Sequence, residues 1–210
     1  IVAESIDRIS DELEKLSAEE FNTGLQHLLS HIIAAHKRII FNGNGYTDEW
    51  KEEAAKRGLP NAATTMEALR CLTKEENIAM FEKYHVYNRR ELESRYEVFL
   101  EDYHRKIRIE GETALEIAGC MVQPAVAKEF AMITEALANA KTAGVAAGSA
   151  GLQKSAEELG TALDELTVKC DALKTALNGC HEEIIAAMND LRKVVDKLER
   201  IVPDANWPLP

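Results

Sequence analysis

Residues 88–142 read NRRELESRYEVFLEDYHRKIRIEGETALEIAGCMVQPAVAKEFAMITEALANAKT, and this stretch decides the fold. Leu92, Tyr96, Phe99, Tyr103 and Ile107 recur at steps of three and four, one face of an α-helix with Glu and Arg on the others. From Thr113 to Ala140 the chain is apolar almost all round and rich in Ala, which predicts burial on most sides. Asn88, with Glu91 three residues on, predicts an N-cap. Pro124 removes one intrahelical hydrogen bond and predicts a kink. Unbroken, this helix would be about 80 Å long at roughly 1.5 Å per residue; the alternative is a break near Gly111. Either way it is the spine on which other helices pack.

Upstream, Ile6, Ile9, Leu13 and Leu16 mark a first helix from about Val2 to Leu16. Ser17 and Glu20 form a capping-box pattern opening a second, with Phe21, Leu25, Leu28, Leu29, Ile32, Ile33, Ile39 and Ile40 as a wide apolar stripe. Phe41-Asn42-Gly43-Asn44-Gly45-Tyr46 breaks it. Thr47 caps a short helix ending at Gly58, where Leu59-Pro60 prevents continuation. Thr64 with Glu67, and Thr73 with Glu76, predict two more short helices, to about Cys71 and Tyr84.

Downstream, Ala143-Gly144-Val145-Ala146-Ala147-Gly148-Ser149-Ala150-Gly151 reads as a hinge of small residues. Then comes a heptad. Leu152, Leu159, Leu166, Leu173 and Cys180 form one seam; Ala156, Leu163, Cys170, Leu177, Ile184, Leu191 and Leu198 form the other. Asn178-Gly179 either folds this into an antiparallel helix pair or interrupts one long helix; the pair is the preferred reading. Strand-like alternation is absent. The fold class is all-α: a helical bundle on a long, Pro-kinked central helix, with a C-terminal heptad helix pair.

Hydrophobic residues make up 46% and charged residues 29% of the 210, which excludes wholesale disorder. A net charge of −11 disfavours nucleic acid and anionic membranes, both of which demand a basic face. No apolar run approaches the roughly 18 residues of a membrane span. Cys71, Cys120, Cys170 and Cys180 form no C-x-x-C pair, and Cys120 and Cys170 fall on apolar faces. Free buried thiols in a reducing cytoplasm are expected. Both ends predict a piece of something larger. Ile1-Val2-Ala3 opens without Met and already in helical rhythm, and Trp207-Pro208-Leu209-Pro210 closes as an uncovered apolar tail.

Candidate chemistry is sparse. His27 and His31 stand at i and i+4, close enough to share a metal, yet His36 lies on another face and no H-E-x-x-H pattern joins them. Asn42-Gly43-Asn44-Gly45 precedes a helix N-terminus, but Asp48 and Glu49 already occupy its first turn and no nucleotide fingerprint is present. The Gly144, Gly148 and Gly151 spacing suggests close helix approach or a hinge. Arg89-Arg90 is a conceivable anion site within a run whose charges nearly cancel, where intrahelical ion pairs are the default. The acid pairs Glu75-Glu76 and Glu182-Glu183 sit on exposed faces, without the partner and burial that tune a general acid. No residue is assigned a catalytic, cofactor-binding or metal-binding role.

One stretch is familiar. Residues 38–50, RIIFNGNGYTDEW, resemble the segment after the catalytic domain in type III glutamine synthetases, the large bacterial form. The likeness continues through Ala55-Lys56-Arg57-Gly58-Leu59-Pro60, Ser94-Arg95-Tyr96-Glu97, Glu110-Gly111-Glu112-Thr113 and Gln123-Pro124-Ala125-Val126. Ala187-Met188, Leu191-Arg192, Val202-Pro203 and the final Trp207-Pro208-Leu209-Pro210 look like that family's last helix and tail. Ile1-Val2-Ala3-Glu4-Ser5 looks like the helix after the final active-site strands, and residues 151–179 match least distinctly.

The resemblance implies a parent that amidates glutamate with ammonia and ATP, using Mg²⁺ or Mn²⁺, and that assembles as a dodecamer. The family's metal carboxylates and phosphate-contacting arginines lie upstream of Ile1, so none transfers to a residue here. The implied division is 1–40, terminal helices of the catalytic domain; 41–87, short helices and loop; 88–210, helical bundle and tail. The implied partners are the catalytic domain of the same polypeptide and other subunits, with no nucleic acid or membrane. The fragment itself is expected to be inactive. Two rivals remain: a stand-alone coiled-coil interaction or signalling module, and a metal-binding bundle using His27 and His31.

Overall fold

A computed structural model describes residues 1–209, of which none is in a strand. Among them nine α-helices follow in order: α1 (Val2–Leu13), α2 (Phe21–His36), α3 (Asp48–Lys56), α4 (Thr65–Leu69), α5 (Glu75–Lys83), α6 (Arg89–Ile117), α7 (Gln123–Thr142), α8 (Ser149–Ala176) and α9 (His181–Glu199). A 3₁₀ turn, Lys37–Ile39, extends α2, and a π-helical turn, Ala118–Val122, joins α6 to α7. The spine is therefore one continuous 54-residue helix, unbroken at Gly111. The all-α expectation holds.

Pro124 explains the π turn. An ordinary helix would set its ring against the carbonyl of residue 120 and leave that carbonyl without its donor. Here Gln123 N–H instead donates five residues back, to Ala118 O, widening the turn just before the proline.

The protein divides into two compact units, residues 1–100 and residues from 101 on. In the first, α1 pairs with α2. Leu16 lies beyond the end of α1, three residues later than the helix itself, and packs on Gly24: a Cβ there would sit 2.4 Å from Leu16 Cδ1. Neither α1 nor α2 contains a buried residue. The buried side chains of this unit are Ile78, Met80 and Leu92. The predicted caps form unevenly. Thr64 and Glu67 do form a capping box, and so do Asn88 and Glu91. Ser17 instead donates its hydroxyl to the Glu20 carboxylate, and α2 begins only at Phe21. Thr47 is the N-cap of α3 as expected, but its hydroxyl donates to Asn44 O instead of accepting a helix N–H. Lys74, not Thr73, is the N-cap of α5.

Helix ends are more regular. Gly58, at φ +67°, closes α3 with Gly58 N–H on Ala55 O and Leu59 N–H on Ala54 O, the paired bonds of a Schellman motif. The same pair of bonds closes α5, with His85 at φ +54° in glycine's place.

The second unit is a three-helix bundle. The spine, α8 and α9 surround a core in which Val122, Val126, Leu159, Ala162, Leu166, Leu173 and Leu198 are fully buried. Residues 177–180 form a turn, so α8 and α9 are the antiparallel pair preferred above. Both seams face the core except at the ends of the first: Leu152 is only half-buried outside the core, and Cys180 is the exposed N-cap of α9. Gly160 lets α8 approach the Phe130 ring of α7, within 3.2 Å of where a Cβ would stand.

Two expectations fail here. The second half of the spine is buried along one face only; Cys120 is exposed, and Met121 and Met132 are 40% and 52% exposed. Alanine makes a helix apolar all round without requiring burial all round. The tail is not uncovered either: Asn206 bonds both Lys128 and Glu129 on α7, and Trp207 packs on the core.

Candidate functional surfaces

The sequence-derived candidates are scattered. His27, His31 and His36 are all exposed on α2, and among the described residues no three His, Cys, Asp or Glu side chains gather to hold a metal. The Asn42–Gly45 loop is a built turn: Asn44 Oδ1 accepts Tyr46 N–H at 3.0 Å, and Arg57 reaches back to donate to Ile40 O at 2.7 Å. Phe41 stacks on Trp50 at 4.5 Å beneath it. Lys51 bonds Asp48 and holds its carboxyl below the usual range, so the N-terminus of α3 already carries its own anion.

Arg89 is spent internally. Its guanidinium grips the Glu75 carboxylate with two hydrogen bonds, and Arg95 lies over the Tyr87 ring at 4.2 Å. Glu75 therefore has the partner that sequence reading denied it, and that partner pushes its carboxyl down, away from what a general acid needs. Glu182 also has its carboxyl pushed down, first by a backbone N–H. Along the spine, Arg105–Glu101, Lys106–Asp102 and Arg108–Glu112 are the expected i,i+4 pairs. The three glycines of the 144–151 stretch have open space around them; Gly144 and Gly148 supply φ of +73° and +85° for the turn between α7 and α8, not a close helix approach. Cys71 and Cys170 are half-buried, Cys120 and Cys180 exposed, and burial pushes the Cys170 thiol up.

Two constellations escaped sequence reasoning because their members are far apart in the chain. Asp7 on α1 accepts from Tyr84 Oη at 2.7 Å and from Lys83 Nζ at 3.0 Å, and these bonds, Tyr84 first, hold its carboxyl below the usual range. In the second unit, His104 stacks on His181 at 4.8 Å while Tyr103 meets the same imidazole edge-on. Neither lines a cavity with a nucleophile. Two grooves exist. One of about 440 Å³ runs between the spine and α9, floored by Ala114, Ala118, Leu191 and Val195, with Arg192 and Asp196 at its rim. One of about 340 Å³ lies between α1 and α2, along Ile9, Leu28 and Ile32.

Against known families, residues 24–141 match the glutamine synthetase C-terminal domain, more than half the chain. The chain belongs to this family. The match runs from Gly24, early in α2, to the end of the spine, so α1 and the α8–α9 hairpin lie outside it. Three longer relatives extend the likeness. A glutamine synthetase of Butyrivibrio fibrisolvens is 34% identical, covering 93% of this chain. The type-3 glutamine synthetase of Dictyostelium discoideum is 30% identical over all of it, and a glutamine synthetase of Bacteroides fragilis (strain YCH46) 26%. The chain spans only 30–31% of the length of these relatives. No helix among the described residues of this glutamine synthetase C-terminal domain is long and apolar enough to cross a membrane.

Proposed function

We propose that the chain is the helical C-terminal region of a type III glutamine synthetase, serving structure and assembly rather than catalysis. On this reading the whole polypeptide makes glutamine from glutamate, ammonia and ATP in the cytoplasm. Mg²⁺ or Mn²⁺ is held by residues preceding Ile1. Residues up to about Ile40 complete the helical layer of the catalytic domain, 41–87 connect, and 88–210 form the bundle that meets other subunits of a dodecamer.

The observation that carries the reading is the set of exposed apolar side chains along α1, α2 and the turn that follows α2. Ile6, Leu29, Ile33, Ile39 and Ile40 are each 48–62% exposed, and Val2 is 73% exposed. Burying one such side chain fully is worth about 1.5–3 kcal/mol, so six in one region favour a covering partner. The relatives supply the length for that partner in their remaining two-thirds and more. The coiled-coil rival finds no support of this kind, because Leu159, Leu166 and Leu173 are already fully buried within the protein's own bundle.

The test is glutamine formation from glutamate, ammonia and ATP. Residues 1–210 alone are compared with the same residues joined to their upstream coding sequence. Turnover is expected only from the longer polypeptide. Turnover by residues 1–210 alone sinks the claim that this region lacks an active site.

A further inference from the structure

Asn-Gly occurs three times, at 42–43, 44–45 and 178–179, and all six residues are exposed or half-exposed. In this dipeptide the glycine, lacking a Cβ, leaves its amide nitrogen free to approach the asparagine side chain. Local structure treats the three differently. Gly179 N–H donates to Ala176 O at 2.8 Å, Asn178 Nδ2 donates to Lys174 O at 3.4 Å, and the Glu183 carboxylate lies against Gly179 where it accepts Cys180 N–H. Asn44 is held by its side-chain bond from Tyr46 N–H and by Thr47, which donates to its carbonyl. Among the described residues, neither the Asn42 side chain nor Gly43 N–H has a hydrogen-bond partner. Gly43 is nonetheless demanded by packing, since a Cβ there would lie 2.4 Å from Cζ of Phe41, the ring stacked on Trp50.

We infer that Asn42 is a site of spontaneous deamidation, coupled to the Phe41–Trp50 stack. The Gly43 amide nitrogen loses its proton and attacks Cγ of Asn42. The bond from Cγ to Nδ2 breaks and ammonia leaves with that proton, closing a succinimide. Water then adds to one of the two ring carbonyls and opens it to aspartate or isoaspartate, with no oxidant or reductant. The product gains a carboxylate, and the isoaspartate form inserts an extra methylene into the backbone beside Gly43. That displaces Gly43 from the Phe41 ring and loosens the stack.

The test is to age the full 210-residue protein in mildly alkaline and mildly acidic buffer, mapping peptides by fragment mass spectrometry while following tryptophan fluorescence. Asn42 is expected to exchange its amide for an acid severalfold faster than Asn44 or Asn178, and faster in the alkaline buffer. The native protein should show a parallel fluorescence drift that Asn42→Ser lacks. Conversion of Asn42 no faster than that of Asn178 overturns the site, and a drift that persists in Asn42→Ser overturns the coupling to the stack.

Discussion

The Asn88 side-chain oxygen accepts Glu91 N–H at 3.0 Å while the Glu91 carboxylate accepts Asn88 N–H at 2.9 Å. This reciprocal pair satisfies two backbone donors at the start of the 54-residue spine. Asn88→Ala should lower stability by about 1 kcal/mol, and Asn88→Asp, which keeps the acceptor, by less. Urea midpoints with an unchanged slope check this.

Gly111 is buried in the bundle, and a Cβ there would meet Ile184 Cγ2 at 2.8 Å and Leu177 Cδ2 at 3.0 Å. Helix propensity alone favours Gly→Ala by about 1 kcal/mol. The clash with a β-branched side chain outweighs it, so Gly111→Ala should destabilise by roughly 1–2 kcal/mol. Gly151, in the first turn of α8, has nothing within 4 Å of its Cβ position. There Gly→Ala should stabilise by about 0.5–1 kcal/mol. Thermal melts of the two variants should move in opposite directions.

Asp7 ties α1 to the end of α5 through Tyr84 and Lys83, and its carboxyl is held below the ordinary range. Such a group stabilises the fold fully above the unfolded aspartate range and loses that contribution as pH falls through its lowered folded value. The stability difference between the native protein and Asp7→Asn should therefore be constant near neutral pH and shrink in strong acid. Equilibrium unfolding across an acid pH series measures it.

The outer face of α2 gives a fourth expectation. Leu29 and Ile33 are 48% and 58% exposed, so replacing both with Ser should cost residues 1–210 only about 1–2 kcal/mol, the worth of the part already buried. In the full-length polypeptide, where the catalytic domain is proposed to cover this face, the same change should cost about twice as much, read from urea midpoints. A loss no larger than in residues 1–210 contradicts the covering role assigned to this face.

Much of the fold was legible because helix signals are local. The 3–4 spacing from Leu92 to Ile107 and the heptads from Leu152 to Leu198 located the spine and the hairpin. The turn at Asn178-Gly179 was harder, because Leu177 and Ile184 keep the same seven-residue phase across it. The caps predicted at Ser17 and Thr73 do not form, because each hydroxyl donates to an oxygen instead of accepting a helix N–H. Burial of the spine was overread, since Cys120, Met121 and Met132 are apolar without being core. The Asp7–Tyr84 and His104–His181 pairings were invisible, being separated by long stretches of intervening sequence. The family resemblance rested on motifs such as RIIFNGNGYTDEW rather than on any reactive constellation, and residues 24–141 bear it out.

The most direct measurement is the coding sequence immediately upstream of the codon for Ile1. A continuous reading frame is expected there, encoding a glutamine synthetase catalytic domain with its metal carboxylates and phosphate-binding arginines. An initiator codon just upstream, or a frame encoding an unrelated sensor domain, contradicts the proposed function.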